Sequence, residues 1–361
     1  MADASFPFNA YLTNVVQLLD AIQHKDTSYT HAERAHRLRH AYSAGAQHFA
    51  QSRVQAALAT SSTTSPQRLE AALRTTARMV VCAWVDINPD LQAVLTIFWT
   101  YQTVLDDATA ADPRSVMGTF VQDLVSGTEQ KSPWWRLVNA YMPVLLEHYG
   151  PFCSLNIYRG VVDYFQGCWI EQHNIQGYPG SSEFPDFQRR LSGLGPSVSG
   201  TLFPKASFDE QRLMAEIAVA TSTIDVYLAQ VNDLFSFYKE FDIAHDQTGL
   251  VNNYCHVDGL GREAALGRLT RNVVRVARQM LAVFGTLTGF MHGYVTWYFL
   301  DERYRMSEVY QRAGNDDDDA VGLAFRRYYE AAWEDAHVYL AEWAEPSLTS
   351  LLMGPDSAGY T

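Results

Sequence analysis

Residues 231–242 read VNDLFSFYKEFD, and whether this stretch is a surface helix or an interior one decides the fold. At about 100° per residue, with Asn232 at zero, Ser236 falls near 40°, Glu240 near 80° and Lys239 near −20°. The four polar side chains share one stripe. Such a stripe ordinarily faces water, but the run before it, AEIAVATSTIDVYLAQV from Ala215 to Val231, is too apolar for a surface helix. The stripe is therefore expected to face an interior cavity, where polar groups are costly unless something binds them.

The same helical spacing of apolar residues recurs outward from this segment. PQRLEAALRTTARMVVCAWV, LQAVLTIFWTYQTVLDD, SLNIYRGVVDYFQGCWIEQHNI and the long run from Gly261 to Tyr304 all show it, and no alternating run marks a sheet. Helix is also expected from Asp209 through Asp242. The breaks, TSSTTSPQ, GYPGSSEFPDF and QRAGNDDDD, are loop-like and too short to be domain linkers. The expected architecture is all-α: a single domain over residues 1–361 with about ten to twelve helices around a central cavity. The N-terminal segment and the tail from Pro346 are expected to be peripheral.

Composition narrows the function. With 361 residues, 47% hydrophobic and 13% aromatic, the chain can bury a large core and is not a disordered polymer. A formal charge of −13 argues against a general nucleic-acid binder. An anionic substrate would need a local basic site or a bound metal. The four cysteines form no CxxC pair, which suits buried thiols in a reducing compartment. No signal peptide or membrane span is read, so the cytoplasm is the expected location.

The chemistry is carried by two oxygen-rich sites. Asn232, Ser236 and Glu240, with Lys239 beside them, form N-D-x-x-S-x-x-x-E: an amide oxygen, a hydroxyl and a carboxylate on adjacent turns. Mg²⁺ favours this set when phosphates and water complete its octahedron. Asp106 and Asp107 end an apolar helix in TVLDDATAADP, with Thr103 and Trp99 back along the face of Asp106. An Asp-Asp pair by itself is ordinarily a solvated helix end. Two such sites on facing helices are what a diphosphate held by several Mg²⁺ ions requires.

These motifs resemble the class I terpene synthases, and more closely the trichodiene synthase-like fungal sesquiterpene synthases. NDLFSFYKEFD followed by DQTGLVNNY, together with FQRRLSGLG and DERYR, matches that group in order and spacing. The resemblance spans roughly residues 80 to 310. It implies Mg²⁺ ligation by Asp106, Asn232, Ser236 and Glu240. It implies diphosphate contacts from Arg189 or its neighbour Arg190, from Lys239, Arg303 and Tyr304, with Asp107 paired to Arg303. In RRLSGLGPSVSG it implies a helix break, with Gly193 as the effector whose carbonyl dipole promotes ionisation and Ser192 as its linker. For Arg189, Arg190 and Arg303 the competing reading is surface charge, and for the break a plain helix end.

Two departures stand out. Ala110 occupies the place of the third acid of DDxxD, with Asp112 later, and Glu302 replaces a basic residue common in DRRYR. The implied activity is that of a carbon–oxygen lyase. With three Mg²⁺ ions it would ionise farnesyl diphosphate and cyclise the cation to a hydrocarbon, for which a humulene-type product is expected. The partner is then a small isoprenoid diphosphate, and a homodimer is compatible. The rival functions are a chain-elongating prenyl diphosphate synthase, which should carry two aspartate-rich motifs, and an inactive helical scaffold. Trp99, Tyr294, Trp297 and Tyr298 read either as core packing or as pocket walls whose π faces stabilise cations. NDDDDA at 315–320 and the histidines of HAERAHRLRH read as hydrated surface.

Overall fold

A computed structural model describes residues 6–25, 29–60, 64–111, 118–241, 248–314, 319–334 and 346–353. Asp112 and residues 315–318 lie outside this set, as do the side chains of residues 106–111, including Asp106 and Asp107. Among the described residues there is no strand. The elements are α1 (Phe8–Ile22), α2 (His31–Phe49), α3 (Ser52–Thr60), α4 (Pro66–Ala83), α5 (Pro89–Ala111) and α6 (Phe120–Ser126). Then follow α7 (Pro133–Leu146), α8 (Pro151–Gln172), α9 (Phe184–Ser192), α10 (Gly195–Thr201), α11 (Met214–Glu240) and α12 (Leu250–Asp258). The chain continues with α13 (Arg262–Val283), α14 (Thr288–Leu300), α15 (Met306–Arg312), α16 (Ala320–Glu334) and α17 (Leu348–Met353).

Local chemistry sets many of these boundaries. Thr30 caps α2 by accepting from the Glu33 amide, and Ser65 and Ser132 cap α4 and α7 just before a proline at the first helical position. The helix expected from Asp209 starts only at Met214. The Asp209 carboxylate accepts from the Arg212 amide at 3.2 Å and holds that stretch in turns. The run from Gly261 to Tyr304 is not continuous either. Phe284 leaves helical geometry at φ −134°, ψ 78°, and a short 3₁₀ turn at Gly285–Leu287 redirects the chain into α14. Every residue of α14 from Phe290 to Leu300 is buried, so this helix runs through the core.

The helices close around a cavity. α14 packs on α4, α4 on α5, α5 on α8, α8 on α10, and α10 on α11. α11 packs on α13, α13 on α1, α1 on α16, and α16 returns to α14. Two glycines permit close approaches near the cavity. A Cβ at Gly167 of α8 would lie 2.6 Å from the Ser192 backbone, and one at Gly195 would overlap the Asp225 carboxylate of α11. The segment after Pro346 includes α17, which packs on α4 and α2. Leu348 is fully buried, and its amide donates to the Tyr42 hydroxyl at 2.8 Å.

Candidate active site

A cavity of about 470 Å³ lies inside the helix ring, within the usual range for small-molecule sites. α11 delivers Asn232, Asp233, Ser236, Lys239 and Glu240 to its wall, and α9 delivers Arg189 and Ser192. The break after α9 delivers Gly193 and Leu194. α5 contributes Trp99, Gln102 and Thr103, α14 contributes Tyr294 and Trp297, and the turn after α14 contributes Arg303 and Tyr304. The oxygen row and the basic groups expected from the sequence thus share one cavity. The polar stripe on α11 does face inward.

The geometry distinguishes the two adjacent arginines. Arg190 is exposed, whereas Arg189 turns into the wall. Arg189 Nε donates to Asp233 Oδ2 at 2.5 Å, Nη2 to Asn232 Oδ1 at 2.7 Å and Nη1 to Ser192 Oγ at 3.2 Å. Burial would lower the guanidinium pKa, but the Asp233 carboxylate overcomes it and holds Arg189 protonated, above its ordinary value. Burial raises the Asp233 carboxyl while Arg189 opposes the rise, and the 2.5 Å contact makes the two an ion pair. The sequence reading passed over Asp233, although it stands inside the quoted motif. Glu171 of α8, also in the wall, accepts from Gln188 Nε2 at 3.1 Å, and nothing in the sequence pointed to it.

Asn232 joins this cluster to the aromatic wall. Its Nδ2 donates to the Tyr298 hydroxyl at 2.9 Å, which donates to the Tyr294 hydroxyl at 2.7 Å. Tyr298, which the sequence offered as either core packing or a substrate contact, is not among the residues that line the cavity. Its ring stacks on Phe235 at 4.9 Å and meets Tyr304 at 4.4 Å, which keeps it behind Tyr294. Tyr294 and Trp297 are three residues apart on one face of α14 and stack at 5.7 Å. Thr103 reaches the wall with its hydroxyl turned back to the Trp99 carbonyl at 3.0 Å. Burial pushes the phenols of Tyr294, Tyr298 and Tyr304 well above the ordinary tyrosine range, so all three are neutral hydroxyls.

The donor set on α11 fits Mg²⁺. Amide, hydroxyl and carboxylate oxygens are hard ligands, and Ser236 Oγ is buried with no partner among the described residues. Asn232 Oδ1 is engaged by Arg189 and would exchange that contact for a metal. Lys239 Nζ sits 2.9 Å from Glu240 Oε1 and 5.4 Å over the Tyr304 ring. Among the described residues no group of three or more His, Cys, Asp or Glu could hold a metal, so the α11 set depends on its two neutral oxygens. Asp106 and Asp107, which the sequence reading expected as the opposite ligand and its neighbour, have side chains outside the described residues. All four cysteines are free, and among the described residues no helix is long and apolar enough to cross a membrane.

Comparison with known proteins follows the same direction. The family described as trichodiene synthase matches residues 5–355, well beyond the stretch that carries the motifs. The trichodiene synthase of Stachybotrys chartarum is 44% identical over 356 residues, covering 96% of this chain and 91% of the relative. That of Paramyrothecium roridum is 44% identical over 352 residues, covering 95% and 90%. That of Fusarium sporotrichioides is 42% identical over 355 residues, covering 96% and 93%. The names of these relatives lend no support to the humulene-type product expected from the sequence.

Proposed function

The chain belongs to the trichodiene synthase family, and from that premise we propose that it converts farnesyl diphosphate to trichodiene with loss of diphosphate, using Mg²⁺. Three ions are expected once diphosphate is bound. The observation that carries the reading is the shared cavity: the oxygen row of α11 and the cations of Arg189, Lys239 and Arg303 border the same space as Trp99, Tyr294 and Trp297. Free thiols accord with a reducing, cytoplasmic setting.

Mg²⁺, when bound, supplies Lewis-acid stabilisation of the charge developing on the diphosphate. Asn232, Ser236 and Glu240 would hold it on this side, and Asp106 on the other. Arg189, Lys239 and Arg303 donate to the diphosphate oxygens, a charge-assisted grip that strengthens as the C1–O bond breaks and its electron pair leaves with oxygen. Arg189 touches Ser192, so its movement onto diphosphate is transmitted to the break that holds Gly193. The cation left behind faces indole and phenol rings. Because burial keeps the tyrosines protonated, no phenolate is present to trap it. Exclusion of water as the site closes on substrate would let cyclisation run until a proton is lost.

Incubation with farnesyl, geranyl and geranylgeranyl diphosphates, followed by gas chromatography, tests the reading. Mg²⁺ should support a C15 hydrocarbon co-eluting with trichodiene, and EDTA should abolish it. A humulene peak would overturn the product, and elongated diphosphates would overturn the reaction class.

A further inference from the structure

Gln102 is an anomaly in the cavity wall. It is 2% exposed, it lines the cavity on α5, and neither Oε1 nor Nε2 has a partner among the described residues. Two other buried glutamines, Gln92 and Gln188, are used at both ends. Gln92 Nε2 donates to the Trp84 carbonyl at 2.9 Å while its Oε1 accepts from Arg37 at 3.1 Å. Gln188 Nε2 donates to Glu171 at 3.1 Å while its Oε1 accepts from Asn253 at 2.7 Å. A buried amide with both ends unpaired is unfavourable, and the cavity is where its partners must come from.

Its position along α5 identifies them. Gln102 precedes Asp106 by four residues, about one turn or ~6 Å along the axis, and follows Trp99 by three. It therefore stands between the acidic helix end and the first indole of the apolar wall. We propose that Gln102 contacts farnesyl diphosphate where the diphosphate meets the isoprenoid chain, with Nε2–H toward the diphosphate oxygens and Oε1 toward the allylic cation at C1. This rests on reading the cavity as the farnesyl diphosphate site.

When the C1–O bond breaks, the electron pair stays on the departing oxygen and positive charge spreads over the allyl group. An amide dipole with its N–H end on the anion and its carbonyl on the cation lies along this new charge separation. It gains more in the transition state than in the bound substrate. No proton moves to or from the carboxamide. A carbonyl fixed beside C1 also biases which double bond the cation meets first, so Gln102 influences both rate and product.

Gln102→Met keeps the side-chain length and removes the dipole, and Gln102→Glu keeps the shape and adds a negative charge beside the diphosphate. Steady-state diphosphate release, product profile and thermal melting are measured for both and for the native chain. The Met variant should melt within a few degrees of the native chain and keep KM within about threefold, while kcat falls roughly ten- to a hundredfold. Acyclic or incompletely cyclised hydrocarbons should rise in its product, and Glu should lower kcat further. A Met variant with native kcat and native product profile overturns the assignment, as does a Glu variant as active as the native chain. A loss confined to KM or to melting temperature overturns it too. If the Met variant does not fold, the Glu variant decides by the same criteria. Native protein that releases no diphosphate from farnesyl diphosphate overturns the underlying reading, and the assignment with it.

Discussion

Asp233 shows what a single residue contributes that a motif conceals. It follows Asn232, an expected Mg²⁺ ligand, by one position, about 100° round the helix, which puts it beside Glu240 at the edge of the oxygen row, where Arg189 of α9 meets it. There it receives Arg189 at 2.5 Å and the Leu250 amide at 3.3 Å, tying the arginine and the start of α12 to α11. Removing one partner of a buried ion pair leaves the other charge uncompensated, at a cost of about 3–5 kcal/mol. Asp233→Asn is expected to lower the melting temperature and to reduce turnover more than about tenfold, with partial recovery in Asp233→Glu. Arg189→Ala should cost about a hundredfold or more in kcat/KM, because it removes a cation from a water-poor diphosphate site, while Arg190→Ala should stay within about threefold. Equal losses in the two arginine variants would contradict the geometry. The sequence left this pair open for a physical reason. Adjacent residues at a helix end are both plausible, and what turns one inward is a carboxylate 44 positions later in the chain.

At the scale of elements, periodicity and punctuation were legible and tertiary redirection was not. The inward stripe of α11, the glycine-rich break after Ser192 and the lack of a strand among the described residues all follow from local spacing. The late start of α11 and the turn at Phe284 depend on where neighbouring helices force the chain to go. The break after α9 also carries a feature visible only in three dimensions. Leu194 adopts φ 55°, and Gly195 packs against Asp225, whose Oδ1 has no hydrogen-bond partner among the described residues. Burial raises the Asp225 pKa to about 6, with Arg159 and Arg190 pulling the other way. A raised folded-state pKa favours the protonated form in the fold. Its stabilising effect is complete below the unfolded value of about 3.8 and is lost as pH rises through about 6. Asp225→Asn should therefore raise the melting temperature at pH 7 and flatten its dependence between pH 4 and 6. A lower melting temperature at pH 7 would mean that the ionised carboxylate supports the break.

At the scale of the whole molecule, α1 and α16 take part in closing the ring of helices, and this is where acid should act. Helix content was readable in the sequence, but the order in which helices neighbour one another arises from long-range packing that no local pattern encodes. His24 sits just past α1, its ring 5.7 Å from His292, 5.8 Å from Phe299 and 6.2 Å from Tyr328, so it packs the N-terminal helix onto α14 and α16. Neither of its ring nitrogens has a partner among the described residues. Burial, with His292 nearby, lowers its pKa to about 3. His48 of α2, 2.7 Å from the Tyr101 hydroxyl of α5, is lowered to about 4, chiefly by burial and also by Arg53. Both imidazoles are neutral in the fold, whereas the unfolded chain takes up their protons near pH 6.5. Below that pH the unfolded state binds more protons, so stability falls as pH drops from about 6.5 toward 4. Thermal melts should decline between pH 7 and pH 5 under constant ionic strength. His24→Phe fills the same apolar position without a titrating group, and its melting temperature should fall less over that interval than that of the native chain. An undiminished decline in His24→Phe would place the acid sensitivity elsewhere in the ring.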